Sequence, residues 1–262
     1  MSEFKIKRAI ISVWNKERIV PLAEELAASE VEIFSTGGTY KKLDKAGLDV
    51  TKISEITEYP EILDGRVKTL HPVIFGGLLA DGSKQSHKED LKKIGADFFQ
   101  LVIVNLYPFS SAFHNPDNSD AEIIEMIDIG GPSMLRAAAK NYKSSLVVSD
   151  PSQYDAFIEK YKQGALDLAY RKKMAAAVFQ KTAEYDREIV NYFSENTDED
   201  IQAEGIYRKV HNLRYGENPD QKAGFYAPLS DVDWRPFQQL GGKQLSYNNY
   251  QDCLAAYDIV HD

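Results

Sequence analysis

Residues 9–13 read AIISV, and apolar side chains at helical spacing follow between residues 19 and 26. The first segment is short, apolar and rich in β-branched residues, which is typical of a buried strand. A strand that leads directly into a helix opens a parallel α/β unit. Pro21 is expected in the first turn of that helix, since a proline farther along would remove a backbone hydrogen bond.

The same alternation continues along the chain. Apolar runs at residues 31–34, 101–104 and 146–148 predict further strands, and residues 166–193 carry apolar side chains at intervals that predict a long helix. The sequence therefore predicts an α/β domain built on a parallel sheet.

Polar residues separate this region from the end of the chain. Residues 194–205 contain several acids and almost no apolar side chains, a composition typical of a linker. Beyond them the sequence is rich in Tyr, Asn, Gln and Gly, with short possible strands and a helix from about Asp252. We therefore expect one domain at residues 1–199 and a small or incomplete second one at residues 200–262.

The composition limits the classes of function. Hydrophobic residues make up 43% of the 262 residues, enough for a well-filled core, and the formal net charge is -9. A nucleic-acid surface needs clustered Lys and Arg that this chain does not supply, so no nucleic-acid partner is expected. Cys253 is the only cysteine, which excludes an intrachain disulfide and a cysteine metal cluster and fits a reducing compartment.

No targeting or membrane segment is expected. The chain begins MSEFKIKR, where charged and apolar residues alternate, and no stretch approaches the ~18 apolar residues of a membrane-spanning helix. We therefore expect a cytoplasmic protein without a membrane partner.

The run DGRVKTLHP at residues 64–72 concentrates positive and titratable side chains in an otherwise acidic protein. Arg66, Lys68 and His71 lie among turn-forming glycine and proline, which predicts a loop. Such a loop can present a guanidinium fork and an ammonium group to one anionic or carbonyl-bearing ligand. The alternative interpretation is a solvated basic loop paired with Asp64 and nearby acids.

The run STGGT at residues 35–39 follows a predicted strand and precedes a helical pattern. Its two glycines allow a sharp turn, and the free N–H groups at the start of the helix would then point at a ligand, which is good geometry for a phosphate. The alternative is a plain strand-to-helix turn capped by Ser or Thr.

The run NLYPF at residues 105–109 ends the most strand-like segment of the chain. Ligands of open parallel sheets gather beyond the carboxyl ends of the strands, which makes Asn105 and Tyr107 candidates for a site. A tyrosine at such a position is also a common packing residue.

The run DIGGPS begins at Asp128 and leads into a helical pattern that ends near Lys140. Pro132 is typical of a helix start, which would place Asp128 just outside a positive helix end. Lys140 would lie about 12 Å along the axis, so its meeting Asp128 at one site requires the lysine side chain to reach back. Simple compensation of the helix dipole also explains this lysine.

These motifs together resemble the bifunctional purine-biosynthesis family that joins IMP cyclohydrolase to AICAR formyltransferase. They occur in the family's order: SVWNK at residues 12–16, STGGT at 35–39, DGRVKTLHP at 64–72, NLYPF at 105–109, and DIGG at 128–131 with RAAAKN at 136–141. LRYGENP at residues 213–219 and KQLSYNN at residues 243–249 resemble the opening of the formyltransferase region.

The resemblance implies a methylglyoxal-synthase-like α/β fold, a parallel-sheet domain with helices on both faces, followed by an incomplete α+β fragment. It also implies IMP cyclohydrolase activity, in which the carboxamide nitrogen of the formylated ribotide attacks its own formyl carbon and water leaves to give IMP. The enzyme must hold these groups together, polarise the formyl oxygen and move protons.

The resemblance also implies roles for individual residues. Lys68 would polarise the formyl oxygen, while Tyr107, Asp128 and Lys140 would form the proton relay. The base and ribotide would be held by Arg66, Thr69, Asn105, Ile129 and Gly130. The 5′-phosphate would be cradled by Ser12, Lys16, Ser35, Gly37, Gly38 and Thr39. The expected ligand is a small purine ribotide, the expected assembly is a homodimer, and this dehydration needs neither metal nor organic cofactor.

Two departures from the family's pattern matter. The chain has NPDQ at residues 218–221 where the family often has Asn-Pro-His-Gln, and the Lys-His pair of the formyltransferase does not occur in this sequence. Formyl transfer from 10-formyltetrahydrofolate is therefore expected to be absent, and the chain is expected to be a shortened form of the family's protein. Arg214 and Tyr215 resemble ribotide-binding residues of that second site and are expected to have no complete pocket.

Two other functions are compatible with the same fold. A non-catalytic nucleotide-sensing module would keep the phosphate cradle but would have no use for Lys68, Tyr107 and Asp128 together. Methylglyoxal synthase shares the fold and a phosphate loop but needs acidic catalysis on a triose phosphate. The runs RVKTLH and NLYPF favour the cyclohydrolase over both.

Overall fold

A computed structural model describes residues 4–195, 207–228 and 240–261. The chain divides into two compact units, Met1–Ile189 and Val190–Asp262. In the described residues, no helix is both long enough and apolar enough to cross a membrane.

The first unit is built on a parallel sheet of five strands with the order β3-β2-β1-β4-β5. The strands are β1 (Arg8–Val13), β2 (Glu32–Ser35), β3 (Val50–Lys52), β4 (Leu101–Asn105) and β5 (Leu146–Val148). All of β4 and β5 and most of β1 are buried. Such continuous burial explains why these strands read as apolar runs and not as alternating patterns.

In residues 4–195, ten helices accompany this sheet. They are α1 (Ile19–Ala27), α2 (Gly37–Lys45), α3 (Ile53–Thr57), α4 (Pro72–Leu79), α5 (Gln85–Lys93), α6 (Phe109–Phe113), α7 (Asp120–Glu125), α8 (Gly130–Lys140), α9 (Tyr154–Lys162) and α10 (Leu168–Glu195). Short 3-10 turns occupy Leu63–Gly65 and Pro151–Gln153.

The strand order places helices on both faces of the sheet. Crossovers between parallel strands are right-handed, so α1 and α2, which lead outward from β1 to β3, lie on one face. The connections from β3 to β4 and from β4 to β5 run in the opposite direction, and α4 and α8 therefore pack together on the other face. This arrangement agrees with the expected fold class.

The order of the strands changes direction at β1 and β4: the strands after β1 are added toward one edge of the sheet, and the strand after β4 is added toward the other. Strands β1 and β4 are neighbours, with Val13 paired opposite Asn105, and their following helices leave toward opposite edges. A crevice forms outside the carboxyl ends of two such strands because their connections diverge. The fold therefore places a binding crevice directly after Val13 and Asn105.

Most of the predicted elements of this unit are confirmed, with shifted ends. Pro21 is the third residue of α1, inside the first turn as expected. The helix expected to start at Pro132 begins instead at Gly130. The shift is possible because the first four N–H groups of a helix have no partner within it, so proline is tolerated at the third position. The short strand β3 was not predicted, since its three residues carry no extended apolar run.

The second unit contains an antiparallel pair, β6 (Tyr207–Asn212) and β7 (Gly224–Pro228), and a helix, α11 (Tyr247–His261). The strand pairing shifts between Lys209 and His211, which marks a bulge. The helix starts earlier than the expected Asp252. Most of the predicted linker falls on residues 196–206, which lie outside the described residues.

Candidate active site

A cavity of about 590 Å³ opens at the carboxyl ends of β1 and β4. Strand ends, the start of α2, the loop before α4 and the start of α8 all contribute to its wall. It brings together nearly all the side chains expected at the site: Ser12, Lys16, Gly37, Gly38, Thr39, Arg66, Lys68, Thr69, Asn105, Tyr107, Asp128, Ile129 and Gly130.

The start of α2 forms one end of the cavity. Gly37 has a positive φ of 48°, a conformation that favours glycine. The side chain of Thr36, the residue before the helix, makes no capping bond to the first turn, and its hydroxyl lies 3.1 Å from that of Ser12. The Thr39 hydroxyl bonds both the N–H and the carbonyl oxygen of Val13, at 3.0 and 2.9 Å, and so fastens the helix to β1. Free N–H groups at a helix start are suited to binding an anion.

Lys16 adds positive charge at this end. A side chain at Gly38 would lie 3.2 Å from Lys16 Cε, so the glycine allows the lysine to approach the helix start closely. Burial lowers the pKa of Lys16, and the charges of Lys42 and Lys68 lower it further. Three ammonium groups close enough to repel one another create a local positive potential in a protein of net negative charge.

Asp128 lies at the other end of the cavity, just before α8. The N–H of Gly131 donates to its Oδ1 at 2.8 Å, and a side chain at Gly131 would lie only 2.2 Å from its Oδ2. Burial raises the pKa of Asp128, against the opposing effects of the Gly131 hydrogen bond, the charge of Lys68 and the N–H groups of Tyr107 and Gly130. A carboxyl group poised in this way can exchange a proton.

Tyr185, on α10, holds the segment that carries Asp128. Its hydroxyl donates to the Met126 carbonyl oxygen at 2.8 Å and accepts from the Asp128 N–H at 2.8 Å. Burial raises the pKa of Tyr185 to about 12, so the hydroxyl stays protonated at neutral pH. The Tyr185 hydroxyl therefore holds the backbone at Asp128 in place, although Tyr185 itself does not line the cavity.

The loop before α4 brings Arg66, Lys68 and Thr69 to the cavity wall. Arg66 is exposed and forms an ion pair with Glu125, which also lines the cavity. Thr69 is 2% exposed, and a side chain at Gly130 would lie 2.9 Å from its Oγ1, which shows how tightly this loop meets the start of α8.

The side chain of Asn105 forms hydrogen bonds within the protein. Its amide accepts from the Asn15 N–H and donates to the Asn15 carbonyl oxygen, both at 2.9 Å. The side chain therefore anchors the loop after β1 to the end of β4. Its position on the cavity wall agrees with the expectation, but its amide oxygen and one N–H group are already in use.

Two expected residues lie outside the cavity lining. Ser35 is completely buried, and its hydroxyl donates to the Ile11 carbonyl oxygen at 2.6 Å, because the side chain points into the sheet between β1 and β2. Lys140 is exposed at the last position of α8. Lys140 comes ten positions after Gly130, which corresponds to about 15 Å along the helix axis, so the expected pairing with Asp128 is not formed within the chain.

His71, which stands out in the sequence, has a structural role. It is the residue before α4, and its Nδ1 accepts from the Val73 N–H at 3.3 Å. It does not line the cavity. In the part of the chain that the structure describes, no group of three His, Cys, Asp or Glu side chains is arranged to hold a metal ion.

Sequence reasoning missed four contributors to this site. Thr36 could have been found from its place before the glycine pair, since Ser and Thr precede helices. Trp14, Glu125 and Tyr185 carry no comparable signal, because their contacts are with residues distant in sequence. The assembled cavity has an end suited to binding an anion, and it also contains a lysine and a carboxyl group that can exchange a proton. Such a cavity can bind a phosphorylated ligand and transfer protons to or from it.

Comparison with known proteins identifies the family. Residues 18–133 match the model of the MGS-like domain, and residues 138–262 match that of the AICARFT/IMPCHase bienzyme. The bifunctional purine biosynthesis protein PurH of Staphylococcus saprophyticus is 48% identical over 257 residues, which cover 97% of this chain and 49% of that protein. PurH of Oceanobacillus iheyensis is 47% identical over 262 residues, covering 98% and 51%.

A solved structure, described as the crystal structure of ForH, is similar with a TM-score of 0.65 and 32% identity. The similarity covers 72% of this chain and 97% of that one. The chain spans about half the length of the curated relatives it matches. The family expected from the motifs is thus confirmed, and the chain belongs to the family of bifunctional purine-biosynthesis enzymes that combine an MGS-like domain with an AICARFT/IMPCHase region.

Proposed function

We propose that this chain is an IMP cyclohydrolase, which closes the purine ring of 5-formamidoimidazole-4-carboxamide ribotide with loss of water. The observation that carries the proposal is the division of one cavity into a positive end, at the start of α2, and an end with Asp128 and Lys68. A ribotide has the matching division, with a phosphate at one end and the reacting carboxamide and formyl groups at the other.

The proposed reaction is a condensation followed by elimination of water. The carboxamide nitrogen attacks the formyl carbon, a carbon–nitrogen bond forms, and Lys68 stabilises the negative charge that develops on the formyl oxygen. Asp128 takes a proton from the attacking nitrogen, and the former formyl oxygen receives one proton from that nitrogen and one from the formamido nitrogen. The carbon–oxygen bond then breaks, water leaves, and a carbon–nitrogen double bond forms in its place. Tyr107 lies beside this path and relays protons. Every step is an addition, a proton transfer or the elimination of water, and no step changes an oxidation state, so the proposal uses no metal, folate or other cofactor.

The positions of these groups support their assignment. The charge of Lys68 acts on both Lys16 and Asp128, which supports a lysine near the reacting end that also adds to the positive charge at the phosphate end. Lys140 has no role in the proposal because it lies at the far end of α8. The resemblance also implies a homodimer, and we include that assembly in the proposal. Sedimentation velocity of the purified chain measures the oligomeric state directly.

The unmodified chain should form IMP from the formylated ribotide in buffer that contains a metal chelator and no folate. Ultraviolet absorbance follows the reaction, because closure of the second ring changes the chromophore. IMP binding without conversion would favour a nucleotide-sensing module, and neither binding nor conversion would refute the proposal.

Replacing Gly131 by alanine should displace the Asp128 carboxylate. The new methyl group would lie 2.2 Å from Asp128 Oδ2, so the carboxylate must move and its bond to the Gly131 N–H is strained. A shift of about 1 Å in a reacting group costs on the order of a hundredfold, and we expect kcat to fall by that amount. The fold should tolerate the change, since alanine favours a helix over glycine.

Gly241→Ala is the matched control, because a side chain there meets open space. Steady-state kinetics and thermal unfolding of both variants separate the two effects. A Gly131→Ala enzyme with unchanged kcat would show that the position of the Asp128 carboxylate does not limit turnover.

A further inference from the structure

Trp14 is an exposed aromatic residue on the wall of the cavity. It follows β1 directly, and 43% of its surface is open to solvent. Among the exposed aromatic residues, Trp14 differs from Tyr59, Phe179 and Phe193 because its ring lines the cavity, where it offers an aromatic surface to a ligand.

The Trp14 ring is held in place by its neighbours. It lies 4.9 Å from the Tyr107 ring, centroid to centroid, at an interplanar angle of 50°. The ammonium group of Lys16 lies 5.9 Å from the indole centroid and donates to the Trp14 carbonyl oxygen at 3.0 Å. The next residue, Asn15, is anchored by both hydrogen bonds to Asn105. An aromatic surface fixed in this way loses little freedom when a ligand binds.

Trp14 is connected to both ends of the cavity. The preceding residue, Val13, is fastened to Thr39 at the start of α2, where the phosphate is placed. The Trp14 ring also packs against the ring of Tyr107, and the backbone N–H of Tyr107 helps to lower the pKa of Asp128. A ligand that extends from the positive end to Asp128 therefore occupies the same cavity as the indole, which is available for contact with it.

We propose that Trp14 is the stacking surface for the planar heterocycle of the ribotide, a role that rests on the proposed function. The planar imidazole carboxamide of the substrate and the purine of the product both present a π-face, which an indole binds without hydrogen bonds. Trp14 thus determines ribotide affinity, while Lys68 and Asp128 act on the reacting atoms.

Kinetics of two substitutions test this role. Base stacking on an aromatic side chain gives an expected rise of about tenfold in the KM of Trp14→Leu, with kcat within about twofold of the unmodified chain. Trp14→Phe keeps an aromatic face and should recover most of the affinity. Tyr59→Leu is the control, since Tyr59 is also an exposed aromatic residue, 53% exposed, but lies outside the cavity lining.

Inhibition by ribose 5-phosphate distinguishes stacking from damage to the phosphate end. This compound has no heterocycle, so its inhibition constant should change by less than about twofold in Trp14→Leu. A comparable loss of affinity for ribose 5-phosphate and for ribotide would overturn the proposal, as would an unchanged KM in Trp14→Leu.

Intrinsic fluorescence gives an independent measurement. The chain has two tryptophans, Trp14 and Trp234, so a Trp234→Phe variant reports on Trp14 alone. Saturable quenching by IMP is expected, and no change in emission from a chain that turns over substrate would overturn the stacking role. A chain that makes no IMP but shows Trp14 quenching would refute the cyclohydrolase and leave the stacking role standing.

Discussion

A Lys68→Met variant should lose about a hundredfold to a thousandfold in kcat, the usual effect of removing one group that stabilises a developing oxyanion. Methionine keeps most of the side-chain bulk and removes the charge. KM should change far less, because the phosphate end retains Lys16 and the start of α2. Steady-state rates of IMP formation, followed by ultraviolet absorbance, measure both constants.

The same variant should move the acid limb of the pH profile. The charge of Lys68 lowers the pKa of Asp128 and partly offsets the effect of burial. Without that charge the pKa of Asp128 rises further, so its carboxylate becomes protonated at a higher pH as the solution is acidified. Since Asp128 acts as a carboxylate, the fall in kcat/KM on the acidic side should begin at higher pH in Lys68→Met.

Lys92→Met is the matched control, since Lys92 is exposed on α5 and removal of its charge leaves the cavity unaltered. A Lys68→Met enzyme with the control's kcat would remove Lys68 from the mechanism. An unmoved acid limb beside a reduced kcat would mean that another group titrates there.

The fold was predictable where apolar runs are long. The strands at residues 9–13 and 101–104 could be recognised because both faces of a parallel sheet are covered, which makes nearly every position apolar. The three residues of β3 carry no such run, and the start of α8 moved by two residues because proline fits several positions of a first turn.

The site was predictable where neighbours in sequence are also neighbours in space. The runs STGGT and DGRVKTLHP each place several residues on the cavity wall. The inward direction of the Ser35 side chain could not be predicted from the sequence, because strand geometry decides which way it points. Tyr185 holds Asp128 across 57 positions of sequence, a contact that exists only once α10 has packed.

Asp128→Asn should abolish most of the activity, with a fall in kcat of about a hundredfold to ten-thousandfold, the usual contribution of a positioned base. Asparagine has nearly the same shape, and its oxygen can still accept from the Gly131 N–H. What it lacks is the ability to take a proton from the attacking nitrogen. Because no group at this position titrates, any remaining activity should also lose its acid limb.

The same substitution should stabilise the fold at neutral pH. Burial raises the pKa of Asp128 above that of an unfolded chain, so on acidification the folded state takes up the proton first. The contribution of Asp128 to the free energy of unfolding is therefore favourable at low pH. This contribution is lost as the pH rises through the raised pKa, where the buried carboxyl group must ionise. We expect a higher Tm for Asp128→Asn at neutral pH and a difference that shrinks toward about pH 4, where aspartate is protonated in the unfolded chain as well.

Thermal unfolding of Asp128→Asn and of the unmodified chain between acidic and neutral pH tests this opposition of activity and stability. Asp117→Asn is the control, because Asp117 is exposed and its replacement should leave both Tm and kcat unchanged. A lower Tm for Asp128→Asn at neutral pH would mean that the carboxylate is stabilised in the folded protein, contrary to its burial. An inactive but more stable variant would instead show that the protein keeps a buried, ionisable carboxyl at the cost of stability because the reaction needs a base there.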